Sequence, residues 1–281
     1  MALYINSNIS SMISQRYLNK NIDSLSTSLE RLSSGYKINH AADDAAGLAL
    51  SENLRTQING KEQAVSNIQD GVNMLQIAEG GLSLINENIQ RIRSLTVQSA
   101  NGTYGTTERV AMKAEIEQRL LEITRIAQTT TYNNIPLLNS NATSIVLQIA
   151  ASSDETSTLD IKPAFTQSTA TALGITLIGA LEKWNDPDAM RGYLDTLDAA
   201  INQVTSSRSM IGAYQNRIEC ALENIIIMQE NLQDSDARIR ETDIAVEASE
   251  LAKNQILEQA SASVLMQANQ LNSVALQILQ G

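Results

Sequence analysis

The chain has 281 residues and a formal net charge of −11 at pH 7, from 31 acidic residues and 20 Lys and Arg residues. This acidic balance argues against a nucleic-acid-binding protein, which needs a basic face to contact phosphates. One Cys and one His leave no material for an internal disulfide, and almost none for a His-based metal site or catalytic triad. Hydrophobic residues make up 43% of the chain but aromatic residues only 3%, which favours long helices packed by aliphatic side chains.

The two ends of the chain carry no charged side chains. Residues 1–15 read "MALYINSNISSMISQ" and residues 259–281 read "QASASVLMQANQLNSVALQILQG". The second stretch is long enough to cross a membrane, but Asn and Gln residues are spread along it, and amides are costly in hydrocarbon. We therefore expect no membrane span there. The first stretch has no basic segment before it and does not read as a secretory signal.

The N-terminal half is predicted to be helical. Apolar residues recur at alternating spacings of four and three from Leu18 to Leu32, which predicts a first helix that Gly35 ends. Asp43 and Asp44 follow, and acidic side chains at these positions suit the start of a second helix.

The middle of the chain changes from helical to extended patterns. The apolar stripe of the second helix continues over residues 65–92, a turn is predicted at 99–108, and a shorter helix covers about 108–128. Residues 129–144 are interpreted as a loop that contains Pro136. The segments "SIVLQIA" and "TSTLDIK" then alternate apolar and polar residues, which predicts a β-hairpin of two short strands.

A long heptad repeat dominates the C-terminal half. Asp186-Pro187-Asp188 suits a helix start, and apolar residues then recur every seven positions: Leu197, Val204, Ile211, Ile218, Ile225, Leu232 and Ile239. This repeat predicts a helix of about 50 residues, roughly 75 Å long. Cys220, within it, is predicted to be a buried small side chain. A second frame follows at the same spacing, at Leu257, Val264, Leu271 and Ile278.

Helices on both sides of a small β segment define the predicted fold class. It is mainly α, a long antiparallel helical rod or coiled-coil bundle with a small β-hairpin region in the middle of the chain. In this arrangement the two uncharged ends lie together. A like charge repeated between the copies of an assembly would cost on the order of 1 kcal/mol per close pair near a surface. A charge-free amphipathic end is therefore suited to the inside of a homopolymer, and we expect both ends to become ordered on assembly.

Other classes of protein fit less well. The sequence has none of the glycine-rich nucleotide-binding, zinc-protease or serine-hydrolase motifs, so we predict no enzyme and no cofactor. A frayed tail that happens to lack charge would not need the many Leu, Ile and Val residues of the last segment. A free coiled-coil adaptor would carry charges beside its heptad core up to its end, and this chain does not.

Four segments strongly resemble bacterial flagellin: "INSNISSMISQRYLNKN", "LSSGYKINHAADDAAGLALSE", "QRIRSLTVQSANGT" and "ASVLMQANQLNSVALQIL". The resemblance covers residues 1–138 and about 190–281. Only about 50 residues separate these halves, so the chain is similar to a short flagellin that lacks the variable outer domains. The "YNNIPLL" segment resembles the loop that ends the family's N-terminal helical half, and the predicted hairpin matches the place of the family's hairpin.

The resemblance implies a structural subunit of the flagellar filament, a hollow helical polymer that serves motility. The alternative is a flagellar hook–filament junction protein, which shares the terminal helices. Implied domains are an inner filament core from residues 1–40 and 241–281, a helical rod from 41–138 and 187–240, and a central hairpin segment from 139–186. Implied localisation is the extracellular flagellum, reached through type III export.

The resemblance also implies partners. These are further copies of the chain, an export chaperone at the C-terminal helices, the filament cap and hook-junction proteins, and the host Toll-like receptor for flagellin. Neither nucleic acid nor membrane is among them.

Two sets of site residues are predicted. The polymerisation core comprises Ile5, Ile9, Leu18, Ile22, Leu25, Leu257, Val264, Leu271 and Ile278. The second set is a patch for lateral contact between subunits that, by resemblance, is also the segment bound by the host receptor: Gln90, Arg91, Leu95, Gln98 and Glu115. Because Ile85, Ile89 and Ile92 should face the core, Gln90, Arg91, Ser94 and Leu95 are expected to face outward.

Overall fold

The computed structural model describes residues 7–139, 145–151, 154–176 and 186–280; for 155, 187 and 271–280 it describes the backbone alone. Five helices account for most of these residues, which confirms the predicted mainly α class. Their bounds are α1 Ile9–Ser34, α2 Ala45–Ser99, α3 Thr106–Thr129, α4 Pro187–Arg240 and α5 Ile244–Gln280.

The predicted helix ends are confirmed around the loop between α1 and α2. Gly35 takes a left-handed conformation with φ 77°, and its N–H donates to the carbonyl of Arg31, which closes α1. Asp44 accepts the N–H of Gly47 at 2.9 Å and so caps the first turn of α2. Asp43 accepts the N–H groups of His40 and Asn39, and these bonds lower the pKa of its carboxyl.

Two short antiparallel hairpins lie between α3 and α4. Strand β3 (Val146–Gln148) pairs with β4 (Thr158–Asp160), with Leu147 opposite Leu159, as the alternating pattern predicts. Strand β1 (Thr131–Tyr132) pairs with β2 (Ile135–Pro136), in a segment interpreted as a loop from the sequence. That interpretation is wrong because Asn133 and Asn134 both have positive φ, which makes them a two-residue turn that reverses the chain.

The described chain divides into two compact units. Unit 1 contains residues 1–56 and 231–281, and unit 2 contains residues 57–230, so the boundaries fall within α2 and α4. The division into core, rod and central segments expected from the sequence remains a prediction.

Unit 2 has a continuous apolar core built from α2, α3, α4 and the β segment. The predicted heptad of α4 supplies part of it, with Leu197, Val204, Ile211 and Ile218 fully buried. Cys220 is exposed, so the prediction that it is buried is wrong. It lies two residues after Ile218, and a two-residue step turns a side chain to another face of a helix.

Three glycines of α2 allow the segment after α3 to approach the helix closely. A Cβ atom on Gly60 would lie 2.5 Å from Ala151 Cβ, and one on Gly71 would lie near the side chain of Leu147. On Gly81 it would lie 2.8 Å from both Leu138 and Thr130. A helix surface without side chains at these points therefore brings Thr130, Leu138, Leu147 and Ala151 into direct contact with α2.

An ion pair joins α2 and α4 at the surface of unit 2. Arg93 Nε donates to Asp198 Oδ1 at 2.6 Å, and its second nitrogen donates to Oδ2 at 3.2 Å. This bidentate bond lowers the pKa of Asp198 and raises that of Arg93.

The neighbouring glycines of α2 should respond to alanine in opposite directions. Gly80 has open space around it, so Gly80→Ala should stabilise the chain by about 1 kcal/mol through helix propensity. Gly81→Ala should destabilise it by about 1–2 kcal/mol, because the new methyl group meets Leu138 and Thr130. Urea unfolding followed by circular dichroism measures both. Equal shifts for the two variants would contradict the close packing.

The Arg93–Asp198 pair should make stability depend on pH. Because the folded pKa of Asp198 lies below its usual value of 3.8, the pair contributes fully above that pH and its contribution is lost as the pH falls through the lowered pKa. We therefore expect Asp198→Asn to destabilise the chain at neutral pH and to have no effect in strong acid. Asp195→Asn, on the exposed face of the same helix, is the control. A stability loss that does not change with pH would exclude this role.

Candidate assembly surfaces

Helices α1 and α5 pair in antiparallel orientation within unit 1. Asn8 Nδ2 donates to the carbonyl of Ala268 at 3.0 Å, and Asn21 Nδ2 donates to Ser261 Oγ at 2.6 Å. Near the other end of the pair, Arg31 lies 3.9 Å from Glu247. The contacts thus progress in opposite directions along the two helices, as predicted for the two ends of the chain.

Polar side chains fill the interface between these helices. Asn254, which is buried, donates to Ser28 Oγ at 3.2 Å and to the carbonyl of Ser24 at 3.5 Å. Ser11 Oγ donates to Asn269 Oδ1 at 2.7 Å. Together with the contacts above, these residues form what we call the polar seam: Asn8, Ser11, Asn21, Ser28 and Arg31 on α1, and Glu247, Asn254, Ser261, Ala268 and Asn269 on α5. Among the side chains described for these two helices, Ala268 alone is both apolar and buried.

Twelve large apolar side chains of the pair are exposed, while five leucines are half-buried: Leu18, Leu25, Leu32, Leu251 and Leu265. Exposed positions include Met12, at 67% of its accessible surface, and Ile256, also at 67%. The exposed apolar faces comprise Ile9, Met12, Ile13, Tyr17, Ile22 and Leu29 on α1, and Ile244, Val246, Ile256, Leu257, Val264 and Met266 on α5. A helix on a protein surface normally buries its apolar stripe and exposes its polar one, whereas the most buried side chains of this pair are mainly polar and many of its large apolar ones are exposed.

The predicted polymerisation core maps onto these faces in part. Four of its residues are exposed: Ile9, Ile22, Leu257 and Val264. Leu18 and Leu25 are half-buried. Ile5 lies outside the described residues, as do the side chains of Leu271 and Ile278. The role of this set in polymerisation stays a prediction.

Sequence reasoning missed the polar seam. The sequence pattern indicates only the hydrophobic frame at Leu257 and Val264. A second set, Asn254, Ser261 and Ala268, recurs at the same spacing and faces α1. A heptad of Asn, Ser and Ala gives no hydrophobic signal. The shared seven-residue spacing and the absence of charge after Glu258 were the available signals.

A second surface lies on unit 2, where α2 and α3 carry most of the predicted receptor and lateral-contact patch. Arg91 Nε donates to Glu115 Oε1 at 3.0 Å, and Arg119 Nε donates to the same oxygen at 3.1 Å. The bond from Arg91 is the main cause that lowers the pKa of Glu115. Gln98 Nε2 donates to the hydroxyl of Tyr104 at 3.0 Å, and Gln90 is exposed.

Leu95 does not face outward, contrary to the prediction for this patch. It is 3% exposed and belongs to the core of unit 2. The reason is helical spacing, because Leu95 follows Ile92 by three residues and so continues the inward stripe of Ile85, Ile89 and Ile92. The exposed apolar residue here is Val97, at 48%. Arg91, Gln90, Ser94 and Gln98 are exposed, as predicted.

Over the described ranges, no cluster of three or more His, Cys, Asp or Glu side chains could hold a metal ion. No helix in the same ranges is both long and apolar enough to span a membrane.

Family models and curated relatives both match the chain. The bacterial flagellin N-terminal helical region matches residues 5–143, and the bacterial flagellin C-terminal helical region matches residues 194–279. A flagellin of Halalkalibacterium halodurans is 39% identical over 278 residues, covering 99% of this chain and 100% of the relative. The flagellar filament 33 kDa core protein of Treponema phagedenis is 38% identical, over 99% of this chain and 100% of its own length.

A solved structure named for a flagellar hook-associated protein of Vibrio parahaemolyticus has a similar fold. Its TM-score is 0.60 at 16% identity, and the match covers 71% of this chain and 100% of that one. At this identity the likeness concerns the fold alone. The family is identified by the two family models and by the relatives of nearly equal length. Only about 50 residues separate the two matched regions. The chain belongs to the bacterial flagellin family, as a short, non-enzymatic structural subunit of the flagellar filament without the family's variable outer domains.

Proposed function

We propose that the chain polymerises by burying the exposed apolar faces of α1 and α5 against further copies of itself. The single observation that supports this is the arrangement of the pair, in which polar residues face each other and many large apolar residues are exposed. Full burial of one Leu, Ile, Val or Met side chain contributes roughly 1.5–3 kcal/mol. Because twelve large apolar side chains of these helices are exposed, their burial between copies can drive assembly.

The charge pattern supports the same proposal. After Glu258 the chain has no charged side chain, so packing α5 against its copies brings no like charges together. The Asn, Gln and Ser residues of this stretch can form hydrogen bonds where charges would repel. Residues 1–40 and 241–281 would then form the inner core of the filament, with 41–138 and 187–240 around it and 139–186 outside.

Export and chaperone binding complete this proposal. An exposed apolar α5 would aggregate inside the cell, so a chaperone that covers the C-terminal helices is expected before type III export. The filament cap and the hook-junction proteins would meet the same terminal helices at the two ends of the polymer. Extracellular secretion follows from this route.

The alternative, a hook–filament junction protein, is less well supported. The hook-associated structure shares the fold at 16% identity, whereas the relatives at 38–39% identity are named as flagellin or as a filament core protein. We therefore favour the subunit of the long filament.

The polymerisation proposal predicts that one charge on the exposed face of α5 stops assembly. Val264→Glu should abolish or strongly reduce sedimentable filaments grown from filament seeds, because every subunit would bury that charge. Removal of residues 259–281 should do the same. Circular dichroism should show that the helices of unit 2 persist in both variants, since their core lies within residues 57–230.

The matched control is Ser206→Glu, which places the same charge on an exposed position of α4, outside the terminal helices. It should assemble better than Val264→Glu. Filaments of normal length from the truncated chain or from Val264→Glu would refute the proposal.

We further propose that the host Toll-like receptor for flagellin contacts the unit 2 patch of Gln90, Arg91, Gln98 and Glu115. Arg91 supports this because its guanidinium lies half exposed beside Glu115, in a geometry that offers donors to a partner. Leu95 is buried, so it would support the helix surface beneath the patch without contacting the receptor.

Receptor signalling by soluble chain variants tests this patch. Arg91→Ala should reduce signalling roughly tenfold, as expected for an interface arginine. Arg93→Ala, two residues away and paired with Asp198 on a different face, is the control and should signal normally. Equal signalling by Arg91→Ala and the parent chain would show that the receptor does not bind this surface through Arg91.

A further inference from the structure

The exposed apolar frame of α5 does not distinguish one register of the α1–α5 pair from another. The apolar frame of α5 repeats Leu257, Val264, Leu271 and Ile278 at sevens. A shift of α5 by seven residues therefore presents a nearly identical apolar face to any neighbour. Repeats of this kind leave register undefined unless a polar residue breaks the symmetry.

The polar seam breaks the seven-residue symmetry of the apolar frame. At one heptad position α5 carries four different residues in succession, Glu247, Asn254, Ser261 and Ala268. Each faces a different group on α1, and Glu247 and Asn254 are buried there. A shift by a whole heptad breaks the side-chain pairings of Glu247, Asn254 and Ser261, whereas the bond from Asn8 meets the backbone carbonyl of Ala268 and does not depend on the side chain there.

We infer that the polar seam fixes the register and the rotation of α5 against α1, and so determines which apolar surface each subunit presents to its neighbours. This inference rests on the proposed function, because it assigns the exposed faces to contacts between copies. The seam residues are positioning residues, and none needs to touch another subunit.

The cost of a wrong register follows from the contacts. After a shift of seven residues in one direction, Asn21 would face Ala268 in place of Ser261 and lose its hydroxyl partner. After a shift in the other direction, Glu247 would move away from Arg31. A donor or acceptor left without a partner in a partly buried interface destabilises that arrangement.

The loops at one end of the pair do not make the seam redundant. Lys37 N–H donates to the carbonyl of Arg240 at 2.8 Å, and Thr242 N–H donates to the carbonyl of Gly35 at 2.9 Å. These bonds hold the helices where α1 ends and α5 begins. Asn8 lies about 35 Å farther along α1 than Arg31, at 1.5 Å per residue, and the seam continues the contact between the helices to that end.

Disulfide trapping in filaments measures the register. In a Cys220→Ser background, Ser11→Cys with Asn269→Cys reports the observed register, since these side chains are in contact. Ser11→Cys with Ala262→Cys reports a shift of seven residues. Chains that carry each pair are mixed as a minor fraction with parent chain and polymerised from seeds, so that incorporation does not require the variant to assemble alone. A gel separates bonds within a chain from bonds between chains.

The seam variant is Asn21→Ala with Asn254→Ala, and its control is Asn19→Ala with Gln255→Ala on outward positions of the same helices. We expect the seam variant to lower the intrachain 11–269 yield by roughly fivefold or more, because the two amides donate four hydrogen bonds across the pair, and to raise the 11–262 yield. The control should change neither. The exchange variant Asn21→Ser with Ser261→Asn keeps one amide and one hydroxyl and should restore the 11–269 yield.

An unchanged 11–269 yield in the seam variant would overturn the inference, and so would an exchange variant that behaves like the seam variant. Neither result bears on whether the parent chain forms filaments. If the parent itself does not polymerise, the proposed function fails instead, and the same disulfide yields measured on the soluble chain still decide whether the seam sets the register.

Discussion

Hydrogen bonds between Asn and Ser side chains hold the two ends of this chain together, in place of an apolar core. The pair of α1 and α5 buries polar groups and leaves twelve large apolar residues exposed to solvent. Since buried polar groups contribute modest net stability, such a pair is weak on its own. Its stability must come from whatever covers the apolar faces, and a second copy of the same surface meets that need without bringing charges together.

Unit 2 is instead stabilised by a buried apolar core. Its helices bury complete apolar stripes, and the β segment lies directly against glycines of α2. It can therefore keep its fold whether or not the ends are engaged. Stability is therefore distributed unevenly along the chain, as is common in proteins whose parts have different numbers of buried apolar contacts.

Most of the fold could be predicted from the sequence because its signals are local. The heptads of α4, the left-handed Gly35 and the cap at Asp44 each depend on a few neighbouring residues. Leu95 was misplaced because one residue of helical phase decides between core and surface. The polar seam could not be predicted from the sequence. Asn254 and Ser261 form it with partners on α1 that lie more than 200 positions away in the chain.

The outward apolar faces also have a thermodynamic consequence. Contacts made by removing apolar surface from water carry a large negative heat-capacity change and strengthen with warming over the lower range of temperature. Salts such as sulfate, which are excluded from protein surfaces, favour the same burial. A polymer joined through such faces is therefore held together by the hydrophobic effect. Cooling weakens it even where every hydrogen bond within its subunits remains intact.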